Sequence, residues 1–282
     1  MARPTVIGID AAGQDATAVS LMLRTVIEGA EPYRSVSVVG AYETYDGAEW
    51  LRDCDVLAEL GRLDVHLANA AEKNLPFLLL ESVGACGRAR GACDVLCALG
   101  ASGEGTVTGR GRALSFSRTS PRADVGATRE AARFGFVQFR AHAPSWSGNV
   151  VLPLVGLRAV DAALAAITVI ELLGRNDATT AERLCHVRTP GHLELLVSPE
   201  QQVCALLEES GAHAGRKRAL EAARREFPGF SIITPVAGAV DRAVRRAYLR
   251  SGKTLLVLLG HSARHGADAF QRAVREHSGF RP

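Results

Sequence analysis

The chain has 282 residues, 47% of them hydrophobic, with 33 basic and 30 acidic side chains and a formal charge of +3. Such a length supports one large core or two ordinary ones, and two domains of unequal size are expected. The near balance of charge argues against a dedicated nucleic-acid surface, and runs such as Leu255 to Leu259 fall far short of the roughly 20 apolar residues that span a bilayer.

Neither nucleic acid nor membrane is therefore an expected partner. The start Met1-Ala2-Arg3-Pro4 enters an apolar strand without the hydrophobic stretch of a secretory signal, so a cytoplasmic location is expected. Six cysteines (Cys54, Cys86, Cys93, Cys97, Cys185 and Cys204) form no CxxC pair and read as reduced, mostly buried small hydrophobes, with no metal site expected.

Residues 6–9, Val-Ile-Gly-Ile, predict the first strand. The loop behind it, Asp10-Ala11-Ala12-Gly13-Gln14-Asp15-Ala16-Thr17, has the outline of a phosphate-binding loop, which needs a lysine against the phosphates and a hydroxyl on magnesium. Read with Asp15 in the lysine's place and Ala16 at the first hydroxyl position, it would repel a triphosphate. Gly13, Gln14 and Thr17 are the loop residues expected nearest a nucleotide, and binding of ATP and magnesium is expected to be weak or absent.

Val19, Met22, Leu23, Val26 and Ile27 follow at helical spacing, with Gly29 as the stop. A strand at 35–40, a helix at 48–60, a buried strand at 76–80 ending in Glu81 and a strand at 94–99 complete a βα alternation, the sequence form of a parallel sheet with crossover helices. Beyond Gly100 the pattern changes. Gly103, Gly105, Gly109 and Gly111 suggest a flexible turn, and 113–117, 134–141 and 149–155 read as antiparallel strands. An amphipathic helix spans 158–173, and the polar Gly174-Arg175-Asn176-Asp177 marks a boundary between domains at 1–178 and 179–282. The second domain is expected to hold helices near 199–210, 215–226 and 240–250, with strands at 231–234 and 254–259. The clusters Arg216-Lys217-Arg218 with Arg224-Arg225, and Arg242, Arg245, Arg246 and Arg250, read as solvated helix faces without interleaved aromatics.

Five segments occur in the order expected of a Mur ligase, an ATP-dependent amide-forming enzyme acting on UDP-N-acetylmuramoyl peptides. Val6-Ile7-Gly8-Ile9 resembles the strand before that family's phosphate loop, and Leu79-Leu80-Glu81-Ser82-Val83 resembles the strand ending in a magnesium-binding glutamate. Leu152-Pro153-Leu154-Val155-Gly156 running into Leu164-Ala165-Ala166-Ile167 is similar to its Leu-Pro-Leu-x-Gly helix entry. Thr189-Pro190-Gly191-His192-Leu193-Glu194 resembles its Pro-Gly-Arg-Met-Glu turn, and Asp241-Arg242 with Gly260-His261 resembles its closing segments. The likeness is nearest the diaminopimelate- or lysine-adding branch. It implies an α/β protein with a Mur-ligase-like central domain, mainly parallel with added antiparallel strands, followed by a smaller Rossmann-like C-terminal domain.

The departures are concentrated where the resemblance implies nucleotide and metal contacts. Besides Asp15 and Ala16, Ala159 and Ala162 stand for two asparagines, His192 for an arginine, and Leu259 and Ser262 for a lysine and a glutamate. The amino-terminal uridine-nucleotide domain and the carbamylated lysine have no counterpart, which reads as truncation and degeneration.

Two readings of the changed site stay open. Asp15, Glu81, Arg158 and His261 are the candidate catalytic residues of a repurposed, ATP-independent enzyme acting on an amino-acid or peptide-like substrate, with His192 and His265 as candidate substrate contacts. In the plainer reading, Asp15 and Arg158 form a salt bridge that fills an emptied pocket, and His261 and His265 are surface polar groups. The leading functional expectation is a binding, scaffolding or regulatory subunit in cell-wall or peptide natural-product biosynthesis. It would form a homodimer or a complex with a longer ligase or another pathway enzyme. An active amide ligase with an unorthodox nucleotide site is the weakest alternative.

Overall fold

A computed structural model describes residues 2–11, 14–29, 35–175, 179–209 and 213–278. The chain divides into two compact units. One comprises Met1–Ala131, Gln138–Leu152 and Leu157–Val187; the other comprises Ala132–Val137, Pro153–Gly156 and Arg188–Pro282.

The first unit opens with β1 (Thr5–Asp10), α1 (Gln14–Glu28), β2 (Val36–Val39), β3 (Glu43–Tyr45), β4 (Trp50–Arg52), α2 (Val56–Gly61), α3 (Leu63–Glu72), β5 (Phe77–Glu81), α4 (Gly87–Gly91) and β6 (Val95–Leu99). It continues with β7 (Gly105–Gly109), β8 (Arg112–Ser117), β9 (Val125–Arg133), β10 (Phe136–His142), β11 (Ser147–Leu152), α5 (Arg158–Leu172) and α6 (Thr179–Leu184). The strands form one mixed sheet in the order β11-β10-β9-β8-β7-β6-β1-β5-β2-β3-β4. At its centre β1 runs parallel to β5 and β6, with Ile7 opposite Leu79 on one side and Val95 on the other. Val6, Ile7, Ile9, Leu78, Leu79 and Leu80 are all fully buried, which is why these strands read as unbroken apolar runs. Helix α5 is buried from Val160 to Leu172.

Three expectations are corrected here. Residues 48–60 are not one helix. They form β4 and then α2, because Asp55 accepts from the Leu57 and Ala58 amides and starts the helix there. The glycine-rich stretch after Gly100 contains β7, which pairs with β6 and β8. Its glycines serve close approach, since a Cβ on Gly105 would fall 2.0 Å from the Ala98 carbonyl oxygen. Finally, β8 and β9 pair parallel, so the added strands are not uniformly antiparallel.

A buried polar cluster joins α3 to the turn before β4. His66 Nδ1 lies 2.8 Å from Asp46 Oδ2 and its Nε2 lies 3.1 Å from Glu59 Oε2, while Asn69 donates to Asp46 at 2.8 Å. Asp46 also accepts from the Ala48 and Glu49 amides. Burial raises the Asp46 carboxyl, but the amides and the His66 and Asn69 side chains together hold it below 3.8. A carboxyl depressed by folding stabilises the fold above its unfolded value and loses that contribution as pH falls through its folded value. Acid unfolding should therefore steepen below about pH 4, and Asp46→Asn should flatten that limb of a denaturant-midpoint profile.

The second unit contains β12 (His192–Val197), β13 (Val203–Glu208), α7 (His213–Glu226), β14 (Ser231–Ile233), α8 (Val240–Tyr248), β15 (Thr254–Leu259) and α9 (Ala263–Ser278). Its sheet order is β12-β13-β15-β14, with β12 antiparallel and the others parallel. Alternate residues of β13 and β15 feed two cores. Cys204, Leu206, Leu255 and Val257 meet Ala219, Ala223 and Phe227 of and beyond α7, while Val203, Ala205, Leu207, Leu256 and Leu258 meet Val240, Val244 and Phe270 of α8 and α9. The helix expected near 199–210 is instead strand β13, buried at every position. Phe134 completes the α7 side, with ring centroids 5.6 Å from Phe227 and 5.7 Å from Phe230.

Candidate functional site

In a parallel sheet the loops at the carboxyl ends of the strands carry the ligand site. Here that edge of the first unit is made by the ends of β1, β5 and β2 and by the first turn of α1. Gly8 is dictated by packing, because a Cβ there would lie 2.3 Å from Cys93 Sγ. Asp10 closes β1 and pairs with Arg90 at 3.0 Å.

Glu81, at the end of β5, is 2% exposed. Its Oε2 accepts from Thr17 Oγ1 at 2.8 Å and from the Ala41 amide at 3.1 Å. Gly40 gives it room, since a Cβ at that position would come within 2.5 Å of Glu81 Oε1. Asp15 lies in the first turn of α1 and receives Arg158 Nη2 at 2.8 Å, while Arg158 Nη1 donates to the Ala101 carbonyl at 3.1 Å. The expected Asp15–Arg158 salt bridge is thus present, with Arg158 reaching from the start of α5.

Of the other loop residues, Gly13 lies outside the described residues, and Gln14 opens α1 with its side chain outside them. Asp15, read as standing at the lysine position, is the second residue of α1.

A second group at this edge had no sequence signal. Asp161, one turn along α5 from Arg158, accepts from Arg118 Nε at 3.1 Å, and Arg118 also donates to Glu130 at 3.0 Å. Burial raises the Asp161 carboxyl above the usual carboxylate value, although the Arg118 guanidinium beside it pulls the other way. Gly103, at φ +86°, sits directly on that carboxylate, with a hypothetical Cβ 2.5 Å from Asp161 Oδ2. Arg158 and Asp161 together hold the 101–103 segment against α5. Partners 43 positions apart in the chain leave no local pattern to read.

The histidines lie in the second unit. His261 is exposed and precedes α9, whereas His265 is exposed within it, so the two do not share a helix face. His192 opens β12 with Nδ1 buried and 3.6 Å from Glu208 Oε1. The structure therefore brings Asp15 and Arg158 into contact and bonds Glu81, at the end of β5, to Thr17 of the helix that carries Asp15, while His261 lies in the other unit. Among the described residues, no group of three or more His, Cys, Asp or Glu side chains is arranged to hold a metal ion, and no helix is long and apolar enough to cross a membrane. Burial pushes the Cys97 thiol up to about 12 and those of Cys93 and Cys204 up to about 11, as for inert packing residues. The second unit has a cavity of about 650 Å³ beyond the ends of β14 and β15, lined by Arg216, Lys217, Thr234, Ser262 and apolar neighbours.

Comparison with solved structures gives this architecture a class. A UDP-N-acetylmuramoyl-L-alanyl-D-glutamate–2,6-diaminopimelate ligase is similar over 96% of this chain and 79% of its own, with a TM-score of 0.65 at 10% identity. MurF ligase from Thermotoga maritima in complex with ADP aligns over 98% of this chain and 81% of its own, with a TM-score of 0.60 at 12% identity. Folylpolyglutamate synthetase from Lactobacillus casei aligns over 96% and 91%, with a TM-score of 0.56 at 10% identity. No protein-family model matches the chain, and no curated protein matches it. The fold is Mur-ligase-like α/β, with a large mixed sheet and a second, smaller sheet.

Proposed function

We propose that this Mur-ligase-like chain does not carry out ATP-dependent amide ligation and serves as a binding, scaffolding or regulatory subunit for amino-acid or peptide-like ligands, in cell-wall or peptide natural-product biosynthesis. The observation that carries this reading is the state of the phosphate-loop edge. A carboxylate, Asp15, stands in the first turn of α1, where a phosphate would gain from the helix dipole, and Arg158 is already committed to it. Thr17 and Glu81, the loop hydroxyl and the acid that the resemblance would assign to a nucleotide and its magnesium, bond to each other. These residues do not fit a magnesium nucleotide.

Acyl-phosphate chemistry depends on fixed positive charge around the transferring phosphoryl group, and single stabilising groups contribute about 10²–10³ in rate. Loss of the lysine alone would thus remove most of the ancestral reaction. The ligand class is supported by the second unit's cavity, whose basic and hydroxyl lining suits a carboxylate. The solved neighbour named as a diaminopimelate ligase takes an amino acid of that kind.

Calorimetric titration of the full chain with Mg-ATP and with Mg-ADP tests this reading. No saturable heat is expected up to millimolar nucleotide, and a saturable isotherm for either would overturn it.

A further inference from the structure

We propose that the free edge of β12 is a docking strand at which an extended peptide is added to the second sheet. The ladder fixes which groups it offers. Ser198 N donates to Val203 O at 2.9 Å, and from there the antiparallel register runs through Val197↔Cys204, Leu196↔Ala205, Leu195↔Leu206 and Glu194↔Leu207. Hydrogen-bonded and non-hydrogen-bonded pairs alternate in such a ladder, so Ser198, Leu196 and Glu194 face β13 while Leu195 and Val197 turn their N–H and C=O groups outward. β12 is terminal in its sheet, so these outward groups lie on its open side.

The usual protections of an edge are largely missing. Edge strands are commonly blunted by charge, proline or a bulge. The one irregularity in β12 lies between His192 and Glu194, and Leu195, Leu196 and Val197 beyond it are in regular register and apolar. Beside them runs a groove of about 420 Å³ whose lining includes Phe134, Gly135, Pro153 and Leu154.

Two observations name the occupant. Paired N–H and C=O groups on alternate residues, about 7 Å apart, match the backbone of another extended strand and few other ligands. The groove's lining also includes two opposite charges, but Glu194 already accepts the Gly191 amide at 2.8 Å. Arg188 is exposed and, among the described residues, in no ion pair. The charge thus favours a peptide carrying an acidic side chain or a free C-terminal carboxylate. This inference stands apart from the nucleotide reading and survives its failure.

The test uses the full ¹⁵N-labelled chain and the acetylated pentapeptide Thr-Val-Thr-Val-Asp with a free carboxylate. Saturable shifts of the Leu195 and Val197 amides are expected at millimolar peptide. Val197→Pro removes an outward N–H without breaking the ladder and should weaken binding about fivefold or more. Arg188→Gln should weaken the acid but leave a neutral Thr-Val-Thr-Val-Thr amide unaffected. A probe N-methylated at both valines should not bind the unaltered chain, a control that does not depend on any variant folding. The proposal is overturned if these amides do not shift, if the N-methylated probe binds equally well, or if the shifts follow protein concentration without peptide, which would mark the edge as a contact between copies.

Discussion

Replacing Asp15 with Lys should raise the affinity of the chain for Mg-ADP by about two to three orders of magnitude. The argument is electrostatic. In the unaltered chain an incoming phosphate meets the Asp15 carboxylate, which is only one-fifth exposed and so is incompletely screened. Asp15→Lys places a cation at the position read as the lysine's and removes the repulsion in the same step. The exchange also frees Arg158, whose guanidinium now spans Asp15 and the Ala101 carbonyl, to face the added phosphate. Fluorescence titration with a labelled ADP measures the gain. If the substituted protein folds with an unchanged circular dichroism spectrum and still takes up no nucleotide, Asp15 is not the barrier.

His66→Ala should destabilise the first unit by about 3–5 kcal/mol, measured as a fall in the urea midpoint at neutral pH. The ring is fully buried between Asp46, itself fully buried, and Glu59. Truncation leaves Asp46 in the interior without its main side-chain partner and opens a cavity between α3 and the turn before β4. His66→Gln, which keeps one donor, should recover part of the loss. Equal losses for the two variants would show that the ring contributes volume and not its bonds.

Several parts of the fold could be read along the chain. Strands buried on both faces carry continuous apolar runs, so β1, β5 and β15 were visible, and Glu81 was placed correctly at the end of β5. Helix α5 was equally plain, since fifteen residues without a breaker end just before Gly174. Asp15 and Arg158 were expected to pair because each followed a segment that leads to the same sheet edge.

What the sequence determined by itself, then, was the βα alternation, the central strands and the absence of a lysine in the phosphate loop, because each is written in neighbouring residues. The tertiary structure alone decided that Val203–Glu208 is a strand: the five-residue apolar run Val203–Leu207 suits helix or sheet, and pairing with β15 settles it. It alone decided that Trp50–Arg52 extends the sheet, that Arg118 meets Asp161, and that His66 lies between two carboxylates. Those outcomes depend on hydrogen bonds and burial between segments far apart in the chain, and local periodicity carries no information about distant partners.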